Sequence, residues 1–215
     1  MRSIILIAIL LFSGAAVALD EGNDTSKVNG SVRVQDGETA GALDTVNGSI
    51  RVGDNATITT AGTVNGSITL GNAVNARSLD TVNGAISVGS RSNVSGDIDA
   101  VNGRVSLDEG VDVQGKVENV NGEIRLTAAH VAGHIKTTSG DIRIGADSRV
   151  DGGILVEKPG WFFGNSKTPT VTIGPRAVIG GTLEFRRDVE LFISDSAAVG
   201  KITGATAKRF SGDRP

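Results

Sequence analysis

The chain has 215 residues, no cysteine and a formal net charge of -3 at pH 7. A weakly acidic chain without a basic block lacks the clustered positive face that nucleic acid requires, and the missing cysteines exclude a disulfide framework. Thirty glycines against six Phe and one Trp describe a chain that turns often and packs aliphatic side chains.

The first 18 residues read as an export signal. Arg2 gives a positive start, Ile4 to Phe12 is an apolar run, and Ala16-Val17-Ala18 is a small-residue cleavage site. The run is shorter than the roughly 20 residues of a membrane span. Cleavage would remove Arg2 and leave residues 19–215 as one domain with no transmembrane segment, in the periplasm or at the cell surface.

Six copies of Val-Asn-Gly then recur, starting at Val28, Val46, Val64, Val82, Val101 and Val120, with spacings of 18, 18, 18, 19 and 19 residues. A fixed period of this size marks a solenoid, in which one coil cannot bury its apolar face alone. After each copy comes a strictly alternating tetrapeptide. Its first apolar column is Val32, Ile50, Ile68, Ile86, Val105, Ile124 and Ile142; its second is Val34, Val52, Leu70, Val88, Leu107, Leu126 and Ile144. Residues two apart share one face of a strand, so both columns point inward. Apolar residues also step by six from Val46 to Val94, which predicts three sides per coil. The expected fold is all-β: a single-stranded parallel β-helix, a triangular solenoid of about 18 residues per coil. Parallel crossovers favour a right-handed winding, although a hexapeptide step also marks left-handed β-helices.

A second strand per coil is predicted around Gly96, Gly115, Gly133 and Gly152, with the glycine on the inward side. The period breaks once: the pair Ile142 and Ile144 finds its successor in Val171 and Ile173, 29 residues on. The excess is assigned to a loop near 157–168 that carries Trp161, Phe162 and Phe163. The polar tail 208–215 is expected to fray.

Four groups of residues are candidates for function. Asn29, Asn47, Asn65, Asn83, Asn102 and Asn121 stand at one corner, either as a ladder of side-chain amides, each donating to the next coil, or as residues tolerant of positive φ. Arg33, Arg51, Arg125 and Arg143 share an outward column that suits an anionic polymer, or is merely a solvated face. Trp161, Phe162 and Phe163 are either an exposed aromatic contact or a flap over the core. His130 and His134 face outward, too far apart to share a metal ion. No metal-ligand, phosphate-loop or nucleophile motif is present, carboxylates do not cluster, and no cofactor or catalytic residue is expected.

The Val-Asn-Gly-Ser-Ile repeats resemble those of exported bacterial adhesin-type β-helices. The segment Thr172-Ile-Gly-Pro-Arg-Ala-Val-Ile-Gly-Gly-Thr-Leu-Glu-Phe185 resembles bactofilins, which are polymer-forming cytoskeletal proteins. The bactofilin resemblance implies a right-handed triangular β-helix that polymerises without nucleotide. The expectation is a non-enzymatic scaffold of the bacterial periplasm or cell envelope that self-associates end to end. The alternative is an adhesin or module that binds an envelope glycan or protein through a flat face or the Trp161 loop.

Overall fold

The computed structural model describes residues 24–160 and 167–215. The expected export signal and the Trp161, Phe162 and Phe163 cluster lie outside the described residues. What is described is all-β, with strands paired in parallel and stacked as a β-solenoid.

The stack has three sides. The first is a ten-stranded ladder from Val32–Val34 to Ala207–Phe210. Ile50 lies over Val32, Ile68 over Ile50 and Ile86 over Ile68, and the column continues through Val105, Ile124, Ile142, Val171 and Leu191 to Ala207. Val171 and Ile173 therefore sit one rung above Ile142 and Ile144 across the 29-residue interval. At roughly 4.8 Å per rung, ten rungs make a rod about 45 Å long.

The second side contributes Ala40, Ile58, Ala76, Val94, Val113, Val131, Val150 and Ile179 to the core; the third contributes Leu43, Ala61, Leu79, Ile98, Val117, Ile135, Ile154 and Leu183. These columns fuse into one continuous core. Each fully buried Ile or Leu contributes about 1.5–3 kcal/mol, so a chain without disulfides is held by repetition of the same small gain.

The corners explain the glycines. A Cβ on Gly48, Gly66, Gly84 or Gly103 would strike the carbonyl of the equivalent glycine one rung below. The Gly96, Gly115, Gly133, Gly152 and Gly181 column obeys the same rule at another corner. This corrects the expectation that these glycines lie inward within one strand. Asn93–Val94 and Ile98–Asn102 are separate strands, and Gly96 sits in the bend between them. Lower in the stack the bend is absent, and Thr39–Asn47 and Thr57–Asn65 each run across both sides.

A second correction concerns the six-residue step. Val52, Ile58, Leu70, Ala76, Val88 and Val94 are buried, but Val46, Val64 and Val82 are half-buried and point outward. Leu79 is inward, so strand alternation turns Thr81 inward and Val82 out. The buried hydroxyls of Thr45, Thr63 and Thr81 donate to the carbonyls of Gly30, Gly48 and Gly66 at 3.0, 3.0 and 3.2 Å. The strand thus hydrogen-bonds its own corner from inside the core.

The tail is more ordered than its composition suggests. Ala207–Phe210 pairs with Glu190–Ser194 and forms the top rung of the first side, so Lys208 to Phe210 do not fray. Among the described residues, no helix is long and apolar enough to cross a membrane.

Candidate functional site

The asparagine column forms an unbroken ladder. Each Nδ2 of Asn47, Asn65, Asn83, Asn102 and Asn121 donates to the Oδ1 of the asparagine one rung below, at 3.0 Å in every case. The direction is the reverse of the expected one, toward the preceding coil. None of the six is among the residues with positive φ. A second polar ladder at the first corner escaped the sequence reading. There the Asp36, Asp54 and Asn72 side chains accept from the backbone N–H groups of Asp54, Asn72 and Ser90.

The outward arginine row of the first side is in register, Arg33 over Arg51 at one end and Arg125 over Arg143 at the other. The two ends differ. Among the described residues Arg33 and Arg51 make no ion pair. Arg125 grips Glu123 at 3.0 Å, Arg104 reaches the same carboxylate at 3.0 Å, and Arg143 stands 3.7 Å from it. Glu123 alone therefore serves three guanidiniums. Above them an open groove of about 510 Å³ lies between this face and the chain's last residues, with Arg125, Arg143, Thr172, Pro175, Asp213 and Arg214 on its walls. A smaller cavity of about 140 Å³ continues past Arg143 to Glu123, Asp141 and Thr170.

The third side carries what the sequence reading missed. Carboxylates were expected not to cluster, yet Asp80, Asp99 and Glu118 stand on consecutive rungs of one outward column. Lys116 ties Asp99, Glu118 and Asp97 together at 3.0, 3.5 and 3.6 Å. Burial first, then the neighbouring Asp99, pushes the Asp80 carboxyl up to about 6. Burial also raises Asp99, outweighing its bond to Lys116. Burial would raise Glu118 as well, but Lys116, Lys136 and His134 outweigh it and hold that carboxyl low. The column was invisible in sequence because its members lie 19 residues apart.

The two histidines lie outward but on different sides, because the bend at Ala132 and Gly133 separates their strands. His130 bridges three rungs, with Nδ1 2.7 Å from Asp112 and Nε2 2.9 Å from Asp151. Burial alone would lower its pKa; the bonds to Asp151 and Asp112 outweigh burial and raise it. His134 lies 3.3 Å from Glu118. Among the described residues no group of three or more His, Cys, Asp or Glu is placed to hold a metal ion.

At the top rung, Ala198–Val199, Ile202–Thr203 and Ala207–Phe210 each have a strand neighbour on one edge only among the described residues. Val199, Ile202 and Ala207 are half-buried there. Arg209 occupies the inward column directly above Ile193, and its Nη1 turns down to the Ser194 carbonyl at 3.2 Å. Lys208 covers the Phe192 ring at 5.2 Å.

No protein-family model, curated protein or solved structure matches the chain.

Proposed function

We propose that the chain is a non-enzymatic scaffold of the bacterial periplasm or cell envelope that works through its sides. The observation that carries this reading is the uninterrupted register of ten rungs. It sets each outward residue type in a straight row, with arginines on the first side and carboxylates on the third. Repetition of this kind suits a long, flat partner such as an envelope glycan, whereas catalysis requires one rung unlike the others. Cosedimentation with isolated envelope fragments tests the reading. Retention of the protein in the pellet without release of soluble fragments supports it; protein left in the supernatant, or fragments released, overturns it.

End-to-end self-association is the competing reading. The one-sided strands and half-buried apolar residues of the top rung favour it, since such an edge invites strand addition. Arg209 opposes it, because an inward charge on an edge strand blocks the continuation of an apolar core. Sedimentation velocity decides between them at this end: a discrete species that begins to associate on Arg209→Ile supports the side-presenting rod. Concentration-dependent filaments of the unaltered chain support stacking.

A further inference from the structure

We propose that the groove under the chain's last residues is a binding site for an acidic oligosaccharide, with Arg125, Arg143 and Arg214 taking a sugar carboxylate. The inference rests on the reading that the sides of the rod do the binding, and it names one place and one ligand chemistry for it.

The electrostatics single out this place. Four guanidiniums, from Arg104, Arg125, Arg143 and Arg214, gather around two carboxylates, Glu123 and Asp213. Glu123 is shared three ways, so neither Arg125 nor Arg143 has its charge fully met. A planar guanidinium grips a carboxylate with two parallel N–H bonds. Arg125 and Arg143 are register partners on adjacent rungs, so their forks sit about 4.8 Å apart and can both reach one oxyanion or two successive ones. Arg33 and Arg51 have the same spacing on the same column, but no tail folds over them, and the groove exists only at the upper pair.

The shape and the remaining lining select a sugar chain. About 510 Å³ falls within the range of small-ligand sites. The groove is open and runs on, past Arg143, into the smaller cavity at Thr170 and Asp141. A lone inorganic anion needs neither the length nor the hydroxyls of Thr127, Thr170 and Thr172 that line the two cavities. A chain of hydroxylated rings with a carboxylate uses both. Arg214 lies in the segment after the last strand, so the tail acts as a strap whose charge is carried across the groove from the strand face.

Isothermal titration of the full chain with an oligogalacturonate, a neutral oligosaccharide of equal length and inorganic phosphate tests the assignment. Binding of the oligogalacturonate is expected, weakened tenfold or more by Arg125→Gln with Arg143→Gln, and by less than twofold by Arg33→Gln with Arg51→Gln. Arg214→Gln lies outside every strand and leaves the core intact; it should weaken binding several-fold even if the double variant fails to fold. Equal binding of the neutral oligosaccharide overturns the proposal, as does equal loss in the Arg33 and Arg51 variant. Phosphate that binds as tightly as the oligogalacturonate reduces the groove to a simple anion site and also overturns it. If no oligogalacturonate binds while envelope fragments still retain the protein, the groove assignment fails and the side-presenting rod survives.

Discussion

Asp80→Asn should make the protein more stable. Asp80 faces outward between Gly62 below and Asp99 above, and Lys116 sits too high to pair with it. Burial and the adjacent carboxylate raise its pKa from the ordinary 3.8 to about 6. Between these values the folded chain binds a proton that the unfolded chain has released, so stability falls as pH rises through that window. Above pH 6 the whole penalty is present. One pKa unit corresponds to about 1.4 kcal/mol, which puts the penalty at about 3 kcal/mol for a fully sealed group and about 1–3 kcal/mol for one that still meets water. Asparagine has the same shape, carries no charge and can donate to Asp99. Urea denaturation at pH 8 and pH 4.5 measures the effect. The gain at pH 8 should be at least twice that at pH 4.5, and a gain of about 2 kcal/mol should raise Tm by about 4–8 °C in a chain of this size. A variant that is less stable at pH 8, or that gains equally at both pH values, would show that the carboxylate column is not under electrostatic strain.

Other substitutions test other parts of the account. Asn119 occupies the inward column of Thr63 and Thr81; its Nδ2 donates to Gly103 at 2.7 Å, but its buried Oδ1 has no partner. Asn119→Thr should restore the hydroxyl-to-carbonyl bond and add about 1 kcal/mol to the unfolding free energy in urea. Ala128 holds φ at 45° in the first corner, where Gly110 stands one rung below. Ala128→Gly should gain about 0.5–1 kcal/mol by calorimetry, the relief of left-handed strain exceeding the added freedom of the unfolded chain. Gly66→Ala should cost about 3 kcal/mol or more, because its Cβ would enter the Gly48 carbonyl and the rungs would have to separate. His130 has a raised pKa, so its contribution is fully present below about 6.5 and is lost as pH rises through the folded value. An NMR titration should place its midpoint above 6.5, and His130→Gln should flatten the stability loss between pH 6 and pH 8.

The inward columns of the first side were legible because they alternate strictly and because Val and Ile at 32, 50, 68 and 86 are the same kind of residue at the same phase. The match of Val171 to Ile142 was legible for the same reason, even across the insertion. The phase of the third side was not. Val46 and Val64 looked like core, yet Thr45 and Thr63 point inward, since a threonine that hydrogen-bonds a corner carbonyl can be buried as readily as a valine. The glycine of Val94-Ser-Gly96 read as a strand residue because apolar positions flank it on both sides; only the approach of one corner to the next shows it as a bend. The Asn ladder was legible as a column, but its direction was not, because a repeat has no arrow until the coils are stacked. The groove and the acidic column have no sequence signature at all. The groove needs the tail to fold back over Arg143, and the acidic column needs Asp80, Asp99 and Glu118 to be brought onto neighbouring rungs.

Pulsed dipolar spin labelling tests the central geometry most directly, since a chain without cysteine accepts labels only where they are placed. Labels at Arg33 paired in turn with Ser87, Ser106 and Thr172 span three, four and seven rungs of one outward column. Backbone separations of about 14, 19 and 34 Å are expected at roughly 4.8 Å per rung, with the 29 residues from Arg143 to Thr172 adding no more than one rung. Distances that do not grow linearly with rung number, or a jump of several rungs across that interval, would contradict the stacked coil on which every other inference depends.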